Sequence, residues 1–447
     1  MIKRIISVLF CALISSILLS QSPLDSTKLT RAKTVKGKIT PKSIVYANGK
    51  LFAQNMMYSH TLTVYDTTGK LLKTIKDTVT PSSFIDTMSN SLLQGSPVEA
   101  ALATNDVLWV SNYQMYGKGY TNPGCDGCRG NSFDKSFMYG FNSNTLKLEK
   151  IIPTGSVPKF ISCDPTGKWM AVSNWVSGSV SIYNQQEGTP SKEIFLGRYP
   201  RGSTFNHSGT HLYVAIMGDD KIADIDLISG QTTFIEHIGD APRHILYNDS
   251  TLYFSCNNDA TVRKLELSTM KQSIVKVGAQ PRSMAFSSDS SYLYVVNYST
   301  ASVTKISCSD LNVKQTIKTD AKPIGVTVVP ESNSVWVACY GGSLIRYNET
   351  KANVVHTPKE EIIVYNPEPS INITSNYHVI VASFMSLKEA QAHVNRLANK
   401  GMICTVLPPD KGRYRVSYFS TNKFSEAKTK QTEARKWRKD AWVLKKS

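Results

Sequence analysis

Short apolar stretches that alternate with polar positions recur along most of the chain, and a proline usually opens each of them. A second apolar stretch ends 14 to 16 residues after each proline, and four of the intervals between successive prolines are 42, 42, 39 and 42 residues. Alternation over such short distances predicts half-buried β-strands separated by turns. The prolines are Pro41, Pro97, Pro158, Pro200, Pro242, Pro281 and Pro323, and the residues that end the second stretches are Asn55, Asn112, Asn174, Ile216, Cys256, Asn297 and Cys339.

The period of this repeat predicts the fold of most of the chain. A unit of about 40 residues with four short strands is typical of one blade of a β-propeller. Strands of this length cannot bury an apolar face alone, so neighbouring blades must stack. We therefore expect an all-β, seven-bladed β-propeller over residues 33–351, in which a strand within residues 28–38 completes the last blade.

The second strands of the repeat combine aromatic and β-branched residues. Tyr294-Val295-Val296-Asn297 is the clearest copy of this pattern, and Trp336-Val-Ala-Cys339 is a variant. The pattern resembles the YVTN family of seven-bladed propellers over residues 33–351. This resemblance implies the fold and leaves the function open, because the same architecture hosts binding proteins, lactonases and lyases.

Two intervals between the prolines exceed the repeat, at 56 and 61 residues. The first excess falls in the Ser/Thr-rich stretch 78–93, and the second lies between Asn112 and Phe137, in a loop with Cys125 and Cys128. In an oxidising compartment, a disulfide between Cys125 and Cys128 that clips the loop is the favoured interpretation. Zinc would need two further ligands, and a c-type haem would need a histidine after Cys128. We therefore predict no metal and no cofactor.

The repeat also predicts one crowded face of the propeller. The chain enters each innermost strand from the face on which the second strand ends, so the residues that follow both positions should surround the central channel. Five of the seven residues that follow the prolines are basic in the set Lys42, Val98, Lys159, Arg201, Arg243, Arg282 and Ile324. The residues that follow the second strands are Met56, Tyr113, Trp175, Met217, Asn257, Tyr298 and Tyr340.

These two sets predict a cationic ring with aromatic neighbours, overhung by the loop that contains Cys125. Such a face suits an unknown protein or an anionic ligand. The alternative is that the arginines only tie neighbouring loops together. The candidate ligand-face residues are Lys42, Lys159, Arg201, Arg243, Arg282, Tyr113, Trp175, Tyr298 and Tyr340.

No set of residues in the chain predicts catalysis. The eight histidines are scattered, and there is no nucleophile elbow, phosphate loop or carboxylate pair with a diagnostic spacing. We therefore predict a protein without a catalytic site. The competing interpretation is an enzyme of the lactonase or lyase type, with its acid and base among His244, Arg243 and Arg282.

The N-terminus has the pattern of a secretory signal. Met1-Ile2-Lys3-Arg4 is followed by an apolar run over residues 5–19, which predicts a signal peptide over residues 1–20. Because about 20 apolar residues are needed to span a bilayer, we expect no transmembrane segment after cleavage. The predicted location is the periplasm or cell envelope of a Gram-negative bacterium, where nucleic acid is not a partner.

The repeat stops near Lys351, and residues 352–376 have the composition of a proline-containing linker. Residues 377–447 then predict a second domain of the order βαββαβ, which is a small α+β fold. The expected strands cover residues 377–384, 403–407, 414–419 and 441–445. The expected helices cover residues 387–399 and 425–437, the second with Ser425 as its N-cap.

The second domain resembles the SPOR domain of bacterial envelope proteins. The resemblance is carried by Val379-Ile-Val-Ala-Ser-Phe384, Tyr414-Arg-Val-Ser417 and Asp440-Ala-Trp-Val-Leu-Lys-Lys446. It implies binding of peptidoglycan, particularly denuded glycan strands, on one face of the sheet. Carried across by position, the glycan-binding candidates are Ile380, Ser383, Arg413 and Arg415. Ile380 departs from the family, in which many members have glutamine there.

The charge of the chain is concentrated in this second domain. Residues 377–447 contain fifteen Lys or Arg and five Asp or Glu, so ten of the seventeen net positive charges lie there. A basic domain of an exported protein suits an anionic polymer of the envelope, although a solvated basic face is the alternative. Taken together, the sequence predicts an exported envelope protein whose second domain tethers a binding propeller to the cell wall.

Overall fold

The structure is a computed structural model that describes residues 27–125, 127, 132–351, 375–398, 402, 404–410 and 412–445. The predicted signal peptide and nearly all of the predicted linker lie outside the described residues. The chain divides into two compact units, one before and one after the boundary between Val354 and Val355.

Seven four-stranded antiparallel sheets form the first unit, and they confirm the predicted all-β propeller. In six of them the four strands follow one another in sequence. Blades 1 to 3 consist of Pro41–Ala47, Lys50–Asn55, Thr61–Asp66 and Leu71–Lys76; Pro97–Leu102, Val107–Asn112, Ser136–Asn142 and Leu148–Thr154; and Pro158–Cys163, Trp169–Asn174, Ser179–Asn184 and Pro190–Phe195. Blades 4 to 6 consist of Pro200–Phe205, His211–Ile216, Lys221–Asp226 and Thr232–Ile235; Pro242–Asn248, Thr251–Cys256, Thr261–Glu266 and Lys271–Lys276; and Pro281–Phe286, Tyr292–Asn297, Ser302–Ser307 and Val313–Lys318.

Blade 7 takes strands from both ends of the unit. Pro323–Val329, Ser334–Cys339 and Ser343–Lys351 supply its first three strands, and Thr27–Lys36 pairs antiparallel with Ser343–Lys351 as the outermost one. The sequence predicted a closing strand within residues 28–38. The observed strand begins one residue earlier and ends two residues earlier, so the prediction is confirmed. Each innermost strand contacts the innermost strands of both neighbouring blades, including the first and the seventh. The seven blades therefore form a closed ring.

Lys305 of blade 6 holds the closing strand in place. Its Nζ lies 2.6 Å from Oε1 of Glu349 in blade 7 and donates to the hydroxyl of Thr27 at 2.6 Å. Gln315 of blade 6 accepts a hydrogen bond from the backbone N–H of Leu29 at 2.8 Å and donates to its carbonyl at 3.0 Å. Two blades and the closing strand are thus tied together by side chains as well as by strand pairing.

The hydrophobic core lies between the blades. Among the described residues, a separate cluster of buried apolar side chains fills each of the seven interfaces between adjacent blades. Trp109 lies between blades 2 and 3, and Trp336 lies between blades 7 and 1. Cys256 and Cys339 are fully buried in two of these clusters, where burial raises the pKa of each thiol to about 12. A buried thiol of this kind packs as a small apolar side chain.

Two stretches of the propeller depart from the regular blade. The Ser/Thr-rich stretch between blades 1 and 2 forms a two-stranded sheet of Thr78–Val79 and Leu93–Gln94, with a 3₁₀ turn at Pro81–Ser83 between them. A second 3₁₀ turn, Pro330–Ser332, joins the first two strands of blade 7. The first insertion therefore lies outside the blades, as an excursion between them.

The second unit has the predicted order βαββαβ. Its sheet contains, in spatial order, Thr405–Val406, Tyr414–Thr421, Tyr377–Phe384 and Trp442–Lys445. Helices α1 (Leu387–Ala398) and α2 (Phe424–Arg435) pack against this sheet. The prediction of Ser425 as an N-cap is wrong, because α2 begins at Phe424 and no side chain caps it at Lys423.

Small residues bring the helices close to the sheet of the second unit. Ala390 of α1 and Ala427 and Ala434 of α2 are fully buried against Val379 and Val416 of the central strands. Among the described residues, no helix is long and apolar enough to cross a membrane.

Candidate functional site

The central channel of the propeller is built from a local irregularity that every blade repeats. The pairing of each innermost strand with the second strand shifts directly after the repeat proline, as between Pro200 and Ser203 or between Pro242 and His244. A bulge of this kind bends the strand and redirects its side chains. The residues that directly follow the prolines therefore do not pair regularly with the second strand.

The residue before most repeat prolines has left-handed backbone geometry. The φ angles of Val157 and Tyr199 are 54° and 61°, and Ala241, Gln280 and Lys322 share this conformation. It is uncommon for non-glycine residues and costs about 1 to 3 kcal/mol. The carbonyl of Val157 accepts a hydrogen bond from the N–H of Trp175, and the carbonyl of Tyr199 accepts one from Met217. These bonds place the residues after the second strands beside the prolines.

The basic residues after the prolines lie inside the channel and not on an open face. Lys42, Lys159, Arg201 and Arg243 are each more than nine-tenths buried, while Arg282 is partly exposed. Burial lowers the pKa of Lys42 well below its usual value, and the charges of the other four residues lower it further. These five cations therefore lie close enough to act on one another, and four of them are largely withdrawn from solvent.

Aromatic rings support several of these cations. The Nζ atom of Lys159 lies 4.2 Å from the ring centroid of Tyr113 and 5.5 Å from that of Trp175. Arg282 lies over Tyr298 at 4.1 Å, and the Nζ atom of Lys42 is 5.6 Å from the ring of Tyr340. The negative face of each ring attracts a cation that has lost part of its hydration.

The described part of the long loop in blade 2 packs against the same aromatic residues. The hydroxyl of Tyr113 donates to the carbonyl of Gly124 at 3.4 Å, and that of Tyr199 donates to the carbonyl of Gly127 at 3.2 Å. Trp175 and Tyr199 stack at 4.6 Å. Cys125 is disulfide-bonded. The predicted partner, Cys128, lies outside the described residues.

Among the described residues, Glu99 brings an acidic side chain into the channel. Oε1 of Glu99 lies 3.0 Å from Nη2 of Arg201, and both side chains are buried. They line a small cavity of about 10 Å³ that receives residues from blades 2 to 7, namely Glu99, Phe160, Arg201, Arg243, His244, Arg282, Ser283 and Ile324.

His244 lies in the wall of this cavity in its neutral form. Burial lowers the pKa of His244 to about 3, and the charges of Arg201 and Arg243 act in the same direction. Its ring contacts Phe160 edge to face at 5.0 Å. A histidine of this kind is uncharged at neutral pH and is a weak base.

Glu99 was not singled out from the sequence, although the repeat contained a signal for it. In four blades the residue two positions after the proline also lines the cavity, and these residues are Glu99, Phe160, His244 and Ser283. Gly202 stands at the equivalent place in blade 4, where a Cβ atom would lie 2.7 Å from the carbonyl oxygen of Arg243. Comparison of the residues two positions after each repeat proline would have identified Glu99 from the sequence.

Three of the four predicted glycan-binding residues lie together at one end of the second unit's sheet. Ser383 pairs with Arg415 across the two central strands, and Nε of Arg413 donates to the hydroxyl of Ser383 at 2.9 Å. Nη1 of Arg415 lies 2.9 Å from Oδ2 of Asp410. Arg413 is exposed, and the other two residues are partly exposed.

Ile380 differs from the expectation for a surface residue. Its side chain is fully buried, at the point where two register shifts interrupt the pairing of the central strands. Tyr414 packs with Phe384 against the core under the helices. Tyr414 therefore lies on the face opposite to that of its neighbour Arg415.

Comparison with known proteins places the second unit in a family. Residues 374–445 match the model of the SPOR domain, and no curated protein matches the chain in sequence. Among solved structures, a chain of the Kuenenia stuttgartiensis hydrazine synthase aligns with a TM-score of 0.55 at 15% identity, over 71% of this chain and 98% of that chain. At this identity the likeness shows a shared fold alone.

The family match confirms that residues 374–445 form a SPOR domain. SPOR domains occur in bacterial cell-envelope proteins, and their presence supports binding of peptidoglycan. The chain thus combines a propeller with a SPOR domain.

Proposed function

We propose that this protein is an exported binding protein of the Gram-negative cell envelope, in which the SPOR domain tethers the propeller to the wall. The observation that carries the proposal is the SPOR match over residues 374–445. The proposed ligand is peptidoglycan, and within it the glycan strands that have lost their peptide stems. The propeller then presents its channel face to an unknown protein or anionic partner in the periplasm.

Ser383, Arg413 and Arg415 are the residues that we assign to the glycan. Asp410 and the hydroxyl of Ser383 hold the two guanidinium groups in place before any ligand arrives. Guanidinium N–H groups donate to hydroxyl and carbonyl oxygens, and side chains that are already positioned lose less rotamer entropy on binding. Ile380 has no part in this scheme, because its side chain is apolar and buried.

Export is supported by the signal-like pattern of residues 1–20 and by the basic SPOR domain. A basic surface in the envelope meets anionic wall polymers, and an exported chain does not meet nucleic acid. The YVTN-like pattern of the second strands supports placing the propeller in the YVTN family.

We propose a binding role and not a catalytic one for the propeller. A general base works best when its pKa lies near the working pH, and burial holds that of His244 at about 3. Replacement of His244 together with Arg243, followed by assays for lactone hydrolysis and lyase turnover, tests this role. Any turnover that depends on these two residues would contradict it.

Pull-down with sacculi tests the peptidoglycan assignment. The purified protein should bind amidase-stripped sacculi more strongly than intact ones, and the Arg413→Gln variant should lose most of this binding. Arg396→Gln is the matched control, because Arg396 is an exposed arginine on helix α1. Equal absence of binding to both kinds of sacculus would overturn the proposal.

A further inference from the structure

The channel face of the propeller carries the turns and links at which the chain passes between strands. In each blade the second strand ends and the third begins at this face, and the outermost strand ends there before the next blade starts. Blade 4 is an example, in which Ile216 pairs with both Pro200 and Lys221. Turns and links of adjacent blades are therefore neighbours on one surface.

Blades 4 and 5 form an acidic sector on this face, made of residues 217–220, 236–241 and 257–260. These segments contain no lysine or arginine, and their five acids are Asp219, Asp220, Glu236, Asp240 and Asp259. Lys221 pairs with Asp219 at 2.8 Å, and Arg263 pairs with Asp259 at 2.6 Å. In the part of the chain that the structure describes, the other three acids have no ion pair with a lysine or arginine.

A lysine sector lies on the same face, in the links that precede blades 7 and 1. It consists of Lys36, Lys38, Lys318 and Lys322, which are all exposed and form no ion pair with any described residue. Asp320 lies in the same links, but Arg31 pairs with it at 2.7 Å. The hydroxyl of Ser343 donates to Asp320 at 2.7 Å, and Ser343 pairs with Lys36. These contacts hold the two links side by side.

The two sectors are complementary in charge and are separated by blade 6. The turn of blade 6 on this face, residues 298–301, contains no charged residue, and its Tyr298 is partly exposed. A two-fold axis that lies in the plane of the face and passes through blade 6 exchanges the two sectors between two copies of the chain. Tyr298 of each copy then lies near the axis, where aromatic residues are enriched in interfaces.

We propose that the channel face binds a second copy of this chain, in a two-fold dimer in which the acidic sector of each copy meets the lysine sector of the other. Opposite charges placed in this way select the partner and fix its orientation. The inference deepens the proposed function, on which it rests in taking the channel face as a protein-binding face. It names the protein partner, and it needs neither the SPOR domain nor peptidoglycan.

The contacts between the sectors join exposed groups, so the dimer should depend strongly on salt. An exposed ion pair contributes only about 0 to 1 kcal/mol, and several pairs are needed for measurable association. Dissolved ions screen such charges over about 10 Å at an ionic strength of about 0.1 M. High salt should therefore separate the two copies.

Sedimentation velocity of the purified full-length protein tests the association. At about 0.05 M sodium chloride the mass should approach twice that of the chain as the protein concentration rises, and it should return to one chain at about 0.5 M. A monomer at every concentration in low salt would overturn the proposal. A dimer that persists unchanged in high salt would show that charge does not hold it, with the same consequence.

Charge reversal identifies the two sectors. Lys38→Glu/Lys322→Glu gives the chain two acidic sectors, and Glu236→Lys/Asp240→Lys gives it two basic ones. Each variant should be monomeric alone, because like charges then face each other, and an equimolar mixture of the two should recover the dimer. A mixture that stays monomeric, or a dimer of either variant alone, would refute the arrangement.

The matched control reverses two lysines away from the channel face. Lys70→Glu/Lys147→Glu changes the net charge equally, but both residues are exposed in turns that join third and outermost strands, at the other end of the blades. This variant should dimerise as the wild type does, and its failure to dimerise would reduce the effect to net charge. Binding to stripped sacculi should be unchanged in all of these variants, so loss of the dimer and loss of wall binding are measured separately.

Discussion

Glu99 and Arg201 form an ion pair of 3.0 Å at the centre of the propeller, with both side chains buried. They come from blades 2 and 4, which are not adjacent in the ring. The pair therefore links two blades that have blade 3 between them. Glu99 thus lies among several basic residues. The charges of four of them, Lys159, Arg201, Arg243 and Arg282, lower the pKa of the fifth, Lys42.

Removal of the acid should destabilise the propeller more than removal of the pair. Glu99→Leu leaves Arg201 buried without its counterion, which costs about 3 to 5 kcal/mol in comparable cases. The double variant Glu99→Leu/Arg201→Met removes both charges and should recover a large part of the loss. Urea unfolding of the wild type, the two single variants and the double variant measures this coupling. Additive losses would show that the two groups do not interact.

Lys305→Met should weaken closure of the ring. The substitution leaves Glu349 largely buried without its cation, and we expect a loss of about 3 to 5 kcal/mol in the free energy of unfolding. Lys314→Met is the matched control in the same blade, because Lys314 forms an exposed pair with Asp310 at 3.5 Å. It should cost no more than about 1 kcal/mol. Hydrogen exchange should show faster opening of Thr27–Lys36 in Lys305→Met, and equal protection in both variants would contradict the prediction.

Asp77 should make the propeller less stable as the pH rises from acid to neutral. Burial raises the pKa of Asp77 well above its usual value, so the folded state holds its proton at a pH where the unfolded chain has lost it. Stability is then greatest below the unfolded pKa of about 3.9 and falls as the pH rises from there towards the folded pKa.

Asp77→Asn tests this dependence, because the amide has nearly the same shape and does not ionise. The variant should be more stable than the wild type at pH 7, and its advantage should shrink towards pH 4. Denaturant unfolding at several pH values gives the difference. The exposed Asp86→Asn should change little across the range. An advantage of Asp77→Asn that does not vary with pH would argue against a raised pKa.

Ser111 and Ser173 should matter because they bridge neighbouring blades. The hydroxyl of Ser111 donates to the carbonyl of Lys159 at 2.9 Å, and that of Ser173 donates to the carbonyl of Arg201 at 2.6 Å. Each Ser→Ala change leaves a buried carbonyl with one partner fewer and should cost about 1 to 3 kcal/mol. The exposed Ser208→Ala should be within about 0.5 kcal/mol of the wild type in thermal unfolding. Losses of the same size in all three would mean that the bridges contribute nothing.

The sequence predicted the number of blades, the SPOR fold and the closing strand, because these depend on periodic burial of apolar side chains. The seven prolines begin seven innermost strands at the expected residues. The accessibility of the channel residues could not be predicted in the same way. It depends on the bulge after each proline and on how closely seven strands approach one axis, and the alternation of apolar and polar residues reports neither property.

The candidate site was predicted less completely than the fold. The sequence identified Lys42, Lys159 and Arg201 because each of them directly follows a repeat proline. Glu99 stands two residues after its proline, and the residue directly after that proline is the apolar Val98. Ile380 was proposed because it stands at a glycan-binding position of the SPOR family, but its side chain is buried and register shifts interrupt the strand pairing on both sides of it. A single irregular residue changes which face a side chain occupies, and composition gives no sign of it.

The closing strand also sets the order in which the propeller can be completed. Thr27–Lys36 leaves the ribosome first among the described strands, yet its partner, Ser343–Lys351, is made more than 300 residues later. Until then the strand lacks its neighbour, and contacts of such long sequence separation form slowly. Lys28, Arg31, Lys33 and Lys36 give this waiting segment a positive charge, which disfavours pairing with the same segment of another chain. The strand that is synthesised first in the propeller thus cannot pair until the strand that is synthesised last has been made.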